Sequence, residues 1–164
     1  RITGIEFSFN SEGKIKEIEI QSLIGYTYMN PISLNTDSVY LATFSDSMNT
    51  ILKYRFNHLA KVDIQATYKN YSAGFSLRYN SYMRNIDVLF EDGIAGTEVL
   101  PGLKKYRQEN QIGGLAFDIR FGLKFKDKYR AGIMVNNLLN AEYSSRPADI
   151  QPPRQFLVQL QYGI

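Results

Sequence analysis

Long stretches of alternating apolar and polar residues are the feature that most constrains what this chain can fold into. In the stretch GLAFDIRFGLKF, residues 114–125, the large apolar side chains all occupy alternate positions: Leu115, Phe117, Ile119, Phe121, Leu123 and Phe125. Successive side chains of a strand point to opposite faces, so this pattern predicts a strand with one apolar and one polar face. Soluble strands usually have about 5–6 residues, so a strand of this length is unusually long.

The same alternation recurs along the whole chain and predicts an all-β protein built from seven antiparallel strands. A chain of 164 residues suits a single domain. The predicted strands are Ile2–Phe9, Lys16–Met29, His58–Tyr68, Tyr71–Met83, Gly114–Phe125, Tyr129–Leu138 and the final stretch RQFLVQLQYGI, residues 154–164.

The connections between these strands alternate strictly between short and long. Tight turns are predicted at Asn10–Gly13, at Lys69–Asn70 and at Lys126–Lys128, whereas the long connections cover residues 30–57, 84–113 and 139–154. Soluble sandwiches have loops of both lengths at both ends, but outer-membrane barrels have short periplasmic turns and long extracellular loops. The pattern therefore indicates a transmembrane β-barrel.

Aromatic residues support the same interpretation. The chain has 12 Tyr and 10 Phe but no Trp, and many Tyr lie near predicted strand ends, with aliphatic residues and Phe between them. This distribution resembles the aromatic girdle around a lipid-facing band. The alternative is a set of aromatics packed into the core of a large soluble sandwich. The Tyr residues concerned are Tyr26, Tyr28, Tyr68, Tyr71, Tyr79, Tyr129 and Tyr162.

Composition excludes several classes of protein. The 19 basic and 16 acidic residues are interspersed, so no basic stripe is present that could follow a nucleic acid. No run approaches the roughly 18 apolar residues of a spanning helix, and the chain has no cysteine. Single-chain bacterial barrels have an even number of strands, and an open sheet in lipid leaves unpaired backbone groups. Seven strands, with Arg1 at the start, therefore suggest a piece of a larger barrel.

The last 30 residues, VNNLLNAEYSSRPADIQPPRQFLVQLQYGI, resemble the C-terminal end of TonB-dependent outer-membrane receptors. In that family a segment V-x-N-L-F-N-x-x-Y ends the penultimate strand, and the following loop carries Arg-Pro and Pro/Gly-Arg pairs. The matching positions are Val135, Asn137, Leu138, Leu139, Asn140, Tyr143, Arg146, Pro147, Pro153 and Arg154, followed by Tyr162 and Ile164 in the closing apolar row.

The match has three departures: Leu139 stands where Phe is usual, Pro153 where Gly is frequent, and Ile164 where the family generally ends in an aromatic residue. The stretches GIEFSFNSEGKI and LKYRFNHLAKVDIQATYKNYSAGFSLRY are also similar to late strands of the family. The resemblance thus covers nearly the whole chain. Its composition is most similar to receptors of Bacteroidetes-like bacteria.

The resemblance implies a 22-stranded barrel closed by an N-terminal plug, with residues 1–164 supplying the last seven strands. It places the protein in a bacterial outer membrane, with the long loops extracellular and the C-terminus periplasmic. The partners that it implies are outer-membrane lipid, the plug and earlier strands of the same receptor, the TonB complex through the missing N-terminal part, and a surface lipoprotein. No cofactor is implied.

A transported ligand is expected to contact the long loops, which carry side chains able to stack or to pair with anions. The predicted ligand-binding residues are Tyr40, Phe44, Tyr54, Arg84, Phe90, Tyr106, Arg107 and Tyr143. The Arg146-Pro147 and Pro153-Arg154 pairs are instead expected to stiffen and pin the last loop.

Catalysis and metal binding have little support in the sequence. His58 is the only histidine. A metal site built from several histidines is therefore excluded, and so is a Ser-His dyad accompanied by a further histidine ligand. We interpret His58 as a surface or interface residue rather than an iron ligand. Five charged residues on the predicted polar face can be interpreted as an acid–base catalytic site, but a solvated face lining the barrel lumen explains them better. These are Asp63, Arg78, Asp118, Arg120 and Lys124.

The sequence therefore leads to an active importer that is not an enzyme. Its expected ligand is an iron–siderophore, cobalamin, haem or an oligomeric nutrient. A passive porin or a secretion or adhesin barrel is the alternative, since such barrels share the alternation and the loop asymmetry. A soluble β-sandwich binding module is the third possibility.

Overall fold

The computed structural model describes residues 1–126 and 128–163 and contains one antiparallel sheet of seven strands in sequence order. The strands are β1 (Ile2–Ile15), β2 (Ile18–Pro31), β3 (His58–Tyr68), β4 (Tyr71–Asn80), β5 (Gly114–Phe125), β6 (Tyr129–Asn136) and β7 (Gln155–Tyr162). The predicted all-β fold is confirmed. Three short helices, which were not predicted, lie in the long connections: α1 (Ser38–Leu41), α2 (Leu89–Asp92) and α3 (Leu103–Glu109).

One face of the sheet, the apolar face, joins the apolar rows of all the strands into a continuous surface. The register places Phe121 opposite both Ala73 and Ile133, and Ile133 opposite Val158. Many side chains on this face are exposed, among them Phe156 at 74%, although Val135 is buried. An exposed apolar surface of this extent marks contact with lipid or another protein.

The other face, the polar face, carries a hydrogen-bonded network in the middle of the sheet. The Arg120 guanidinium donates to both carboxylate oxygens of Asp63, at 2.7 and 3.2 Å, and also to Gln65 at 3.1 Å and Ser76 at 3.0 Å. Gly74 lies directly opposite Arg120 in the register, and a Cβ at this position would come within 2.8 Å of the guanidinium carbon. The glycine therefore gives Arg120 room to lie across the sheet.

The first hairpin differs from its prediction. The turn predicted at Asn10–Gly13 is wrong, because β1 continues through these residues to Ile15 and the chain reverses at Lys16 and Glu17. Asn, Ser and Gly favour turns, but here they pair along β2, and Gln21 donates to Glu12 across the strands at 2.8 Å. Lys16 adopts a positive φ of 56°, as Lys69 does at 52° in the next tight turn.

β4 and β6, which both lead into a long loop, end earlier than predicted. β4 stops at Asn80 rather than Met83, and Met83 is buried among loop residues. β6 stops at Asn136 rather than Leu138, because Asn137 adopts a positive φ of 50° and its backbone N–H donates to the Asp118 carboxylate at 2.8 Å.

The tight turns lie at one end of the sheet, and the three long connections lie at the other. We name these connections loop A (residues 32–57), loop B (81–113) and loop C (137–154). Most of the buried apolar side chains belong to loops A and B: Phe44, Ile51, Met83 and Ile86. The packed core of the described chain is therefore in the loops, above an open sheet. Among the described residues, no helix reaches the length and hydropathy needed to cross a membrane.

Candidate functional site

Loops A and B form one folded unit, joined around the amide of Asn85. Asn85 is fully buried, and its Nδ2 donates to the carbonyl oxygens of Asn49 at 3.0 Å and Ile51 at 2.9 Å. Its Oδ1 accepts from the backbone N–H of Asp46 at 2.8 Å. Every polar atom of this side chain is used, so the amide of loop B fixes the path of loop A.

A charged cluster around Asp87 forms the second contact between the two loops. Lys53 and Tyr54 of loop A both donate to the Asp87 carboxylate of loop B, and the Lys53 ammonium lies 5.2 Å from the centre of the Phe44 ring. Burial acts to raise the pKa of Asp87, but the hydrogen bonds from Lys53 and Tyr54 hold the pKa below its usual value. Burial and the Asp87 carboxylate raise the pKa of the Tyr54 hydroxyl.

We expect this cluster to make the docking of loops A and B sensitive to acid. Because the pKa of Asp87 is lowered by folding, its contribution to stability is present above the ordinary value of about 3.9 and is lost as the pH falls through the folded value. Asp87→Asn is expected to cost about 1–3 kcal/mol of docking free energy at neutral pH. Hydrogen exchange at the amide of Val88, which bonds to the Thr43 carbonyl, measures this opening.

Asp92→Asn is the matched control for this prediction. Asp92 also lies in loop B, but its partner Lys104 and its own side chain are about half exposed, so the change is expected to cost roughly 0–1 kcal/mol. Equal exchange rates at Val88 in the Asp87→Asn variant and in the unmodified protein would contradict the role given to Asp87.

Arg107 holds loop B together from its position on α3. Its guanidinium pairs with Glu91 at 2.5 Å, donates to the carbonyl oxygens of Met83 and Arg84 at 3.0 and 3.3 Å, and lies 4.8 Å from the centre of the Tyr82 ring. Only 9% of Arg107 is exposed. The residue thus has a structural role in addition to any contact with a ligand.

A cavity of about 610 Å³, the rim cavity, lies between loops A and B and the adjoining ends of β3 and β4. Its lining is mostly polar, with hydroxyl, amide and charged side chains and two Tyr rings. The lining residues are Ser45, Asp46, Asn49, Asn57, His58, Tyr79, Ser81, Tyr82, Arg84, Glu91, Arg107, Gln108, Gln111 and Ile112.

A second, smaller cleft lies between loops B and C. It is lined by side chains of α3 and of loop C, among them Tyr106, Tyr143, Arg146 and Pro147. The Tyr106 hydroxyl donates to the Glu142 carbonyl oxygen at 3.1 Å, which joins the two loops, and burial raises the pKa of that hydroxyl. Tyr143 packs on Gly114, where a Cβ would come within 2.9 Å of the Tyr143 Cβ.

The residues predicted to bind a ligand lie in three places, and Arg107 lies in two of them. Arg84 and Arg107 line the rim cavity, and Tyr106, Arg107 and Tyr143 line the cleft between loops B and C. The others belong to the packing of the loops or lie beside it: Phe44 is only 2% exposed, Tyr40 contacts its ring edge-on, Tyr54 bonds to Asp87, and Phe90 is half-buried.

The C-terminal motif residues clamp loop C at both of its ends. Asn137 is 3% exposed, and its side chain accepts from the Ala141 N–H at 2.8 Å and donates to the carbonyl oxygens of Ala141 and Pro152 at 2.9 and 3.1 Å. Asn140 accepts from the Arg154 N–H at 2.9 Å, and Leu138 donates from its backbone to the Phe117 carbonyl oxygen at 2.7 Å. The asparagines of the motif therefore fix the loop by bonds to its backbone.

Several other residues of the motif are less buried than Asn137. Arg146 and Arg154 are exposed, Pro147 is half-buried, and the Tyr162 ring packs against Tyr129 with their centres 5.1 Å apart. Ile164 lies outside the described residues.

Asn137→Ala is expected to release loop C, because it removes three side-chain hydrogen bonds from a buried site. We expect a cost of about 1–3 kcal/mol and faster proteolytic cleavage within residues 138–153. Asn136→Ala is the control, since this neighbouring amide makes no side-chain hydrogen bond to the described residues. Equal cleavage rates in the two variants would show that the clamp does not hold the loop.

Asp63, Arg78, Asp118 and Arg120, which were considered for catalysis, form two ion pairs. Arg78 donates to Asp118 at 3.1 Å, Arg120 to Asp63 at 2.7 Å, and Asp118 also accepts from the Asn137 N–H. His58 accepts from or donates to the Tyr26 hydroxyl through Nδ1 at 2.9 Å and packs against Tyr28. Within residues 1–126 and 128–163, no group of three or more His, Cys, Asp or Glu side chains is arranged to hold a metal ion.

Sequence reasoning did not identify Asn57, Asn85 or Asp87 as important residues. Asn85 and Asp87 contact residues more than thirty positions away, and no local pattern reports such contacts. The sequence gives only a weak indication of buried asparagines in the long connections. Three Asn, at positions 49, 57 and 85, each stand beside an apolar residue there.

Comparison with known proteins addresses the fold. No protein-family model and no curated protein matches the sequence. Among solved structures, the chain is similar to the crystal structure of the ferric-catecholate import receptor Fiu of E. coli K12 in its closed form, with a TM-score of 0.69 and 18% sequence identity. The likeness covers 98% of this chain and 20% of Fiu. The sheet described above therefore has the fold of one segment of a larger β-barrel receptor.

Proposed function

We propose that residues 1–164 form the last seven strands of a TonB-dependent outer-membrane receptor that imports a scarce ligand. The continuous apolar face carries this proposal. All seven strands contribute to it, and Ile5, Phe156 and Leu160 are each more than 70% exposed. In water this surface would be a severe liability, but in hydrocarbon it is the surface that a membrane strand presents.

The geometry of the polar face and of the sheet edges supports the same proposal. The polar face carries the Asp63–Arg120 and Arg78–Asp118 ion pairs, as expected of a wet lumen. Within the part of the chain that the structure describes, β1 pairs only with β2, and β7 only with β6, so each has one open edge. In a closed barrel these edges pair with the strands of the rest of the receptor.

The position of the loops supports a receptor with its ligand-contacting end at loops A, B and C. Tight turns at one end and long, folded loops at the other match the asymmetry between the periplasmic and extracellular sides of outer-membrane barrels. We place the loops outside and the tight turns and β7 terminus in the periplasm. The plug and the earlier strands belong to the remainder of the receptor, which would also contact the TonB complex.

An uptake experiment with the complete receptor separates this proposal from a passive barrel. Iron–catecholate complexes are the first ligands to test, because the structurally similar Fiu is a ferric-catecholate import receptor. Cobalamin, haem and short oligomers complete the panel. We expect uptake of one ligand that disappears when TonB is deleted. Uptake that continues without TonB would identify a porin, and a receptor that fractionates with soluble proteins would refute the membrane assignment.

A further inference from the structure

The three tight turns each place a lysine in a backbone conformation that lysine rarely adopts. Lys16, Lys69 and Lys126 have positive φ angles of 56°, 52° and 49°. The Cβ of a lysine makes this conformation unfavourable, so such positions usually carry glycine or asparagine. Unfavourable backbone conformations that nevertheless persist are concentrated at functional sites. The repetition of lysine at the three turns therefore indicates a use for its charge at this end of the sheet.

A belt of aromatic side chains, the aromatic belt, borders the apolar face next to the turns. Its members flank the second turn (Lys69–Asn70) and the third turn (Lys126–Lys128), and each is partly exposed, from 42% for Tyr68 to 64% for Tyr71. In membrane barrels, a belt of this kind lies at the level of the lipid headgroups. The members, which are joined by the register of β3 to β7, are Tyr68, Tyr71, Phe125, Tyr129 and Tyr162.

Two of the turn lysines lie over rings of the aromatic belt. The Lys69 ammonium is 5.0 Å from the centre of the Tyr68 ring, and the Lys126 ammonium is 5.2 Å from the centre of the Phe125 ring. Both distances suit a cation–π interaction. The two turns also lie side by side, because the Lys124 N–H donates to the Asn70 carbonyl oxygen at 2.8 Å. The two ammonium groups are therefore held at the border of the apolar face, in neighbouring hairpins.

The two ends of the sheet differ in charge. Segments 14–19, 68–71 and 124–130, which form the turn end, contain seven basic and three acidic residues, whereas loops A, B and C together contain eight basic and nine acidic residues. The third turn contributes most, since its segment KFKDKYR has four basic residues and one acidic residue. The net positive charge of the chain is therefore concentrated at the turn end, where it attracts anions.

The position of the lysines over apolar-face rings favours a lipid among the possible anionic partners. A soluble anion or a cell-wall polymer approaches the turns from water and has no contact with the apolar face. The phosphate of a phospholipid headgroup lies at the level of the aromatic belt, with its acyl chains against the apolar face below. Lys69 also lies 3.8 Å from the Glu17 carboxylate, but both side chains are about two-thirds exposed, so this pair contributes little in water.

We propose that the second and third turns bind the headgroups of anionic phospholipids in the leaflet that adjoins them. Lys69 and Lys126 pair with the headgroup phosphate, and the rings beneath them contact the glycerol backbone and the upper acyl chains. This binding rests on the membrane placement of the proposed function, but it does not require import. Basic residues clustered beside a membrane segment bind anionic lipids, and each contributes about fivefold to the affinity.

Photo-crosslinking of the complete receptor in lipid vesicles tests this surface. The vesicles consist of phosphatidylcholine with a small fraction of a photoactivatable lipid, either anionic phosphatidylglycerol or zwitterionic phosphatidylcholine. Mass spectrometry measures the labelling of the peptides that carry residues 68–71 and 124–130. We expect phosphatidylglycerol to label these peptides about tenfold more than phosphatidylcholine at low salt. The excess is expected to shrink in about 1 M salt, which screens exposed charges.

Substitutions at the two lysines separate their charge from folding. Lys69→Asn/Lys126→Asn removes both charges, but asparagine adopts a positive φ more readily than lysine does. We therefore expect the thermal midpoint to be kept or raised, while labelling by phosphatidylglycerol falls to the level of phosphatidylcholine. Lys69→Arg/Lys126→Arg keeps the charges and is expected to keep the excess. The control Lys104→Asn/Lys105→Asn removes two exposed lysines of α3 in loop B and is expected to leave the excess unchanged.

Equal labelling by the two lipids would overturn the proposal, as would an unchanged excess in the Lys69→Asn/Lys126→Asn variant. Binding of the receptor to isolated peptidoglycan that this variant loses, without an excess of phosphatidylglycerol labelling, would overturn it in favour of the cell wall as the anionic partner. An excess of phosphatidylglycerol labelling in a receptor without TonB-dependent uptake would contradict only the proposed importer. Equal labelling in a receptor with TonB-dependent uptake would contradict only the binding of lipid by the turns.

Discussion

Under the proposed function, deletion of Gln155–Ile164 is expected to reduce the amount of the complete receptor in the outer membrane to background. The deletion removes β7, whose backbone pairs with β6 from Asn136 to Tyr129. Without β7, the open edge of β6 faces hydrocarbon, where each unpaired backbone group costs several kcal/mol. The rest of the barrel then has no strand to close against, and its remaining strands cannot compensate.

The measurement is the amount of receptor in isolated outer membranes, with surface labelling of a loop residue as a second readout. Deletion of Ser145–Asp149 is the control, because it shortens the tip of loop C between Ser144 and Ile150, which form a β-bridge, and leaves all strands intact. We expect near-normal levels for this control. Normal levels and uptake after the loss of β7 would show that the strand is peripheral and that the barrel does not close through it.

Strand positions were largely predictable from the sequence because each strand has one side on the apolar face and one on the polar face. Apolar and polar residues therefore alternate along its sequence with a period of two residues. In β5 the period runs without a break from Leu115 to Phe125, and the predicted strand limits agree with the structure. The predicted position of the first turn was wrong for a physical reason. Asn10–Gly13 contains turn-forming residues, but pairing of this segment with β2 outweighs that local preference. Local composition decides a turn only where no partner strand competes.

The loop end was much less predictable, because long-range contacts determine it. Phe44 was predicted to contact a ligand on account of its aromatic ring, yet the ring packs under Lys53 in the loop core. Asn85 looks unremarkable in sequence, and its importance comes from contacts with residues 34–39 positions away. By contrast, Asn137 was recognisable through the family motif, and its bonds to loop C explain physically why an asparagine suits this position.

In the proposed membrane barrel, Phe121→Arg is expected to cost about 2–4 kcal/mol of stability, the penalty for an arginine near the bilayer midplane. Phe121 lies toward the middle of the apolar face, is 56% exposed, and has only apolar neighbours in the register, Ala73 and Ile133. An arginine there has no partner on its own face and is too far from either end of β5 to reach water easily. Unfolding of the receptor from lipid vesicles by denaturant measures the loss.

Gln159→Arg is the matched control, because Gln159 lies on the polar face next to Val158, the residue that continues the row of Phe121 and Ile133. A new arginine on a wet face keeps its hydration, so we expect a change within about 0.5 kcal/mol. Phe121→Leu, which keeps an apolar side chain in the same row, is expected to be close to neutral in lipid. If Phe121→Arg and Gln159→Arg destabilised the receptor equally, the two faces would share one environment, and neither the lipid-facing assignment nor the proposed importer could stand.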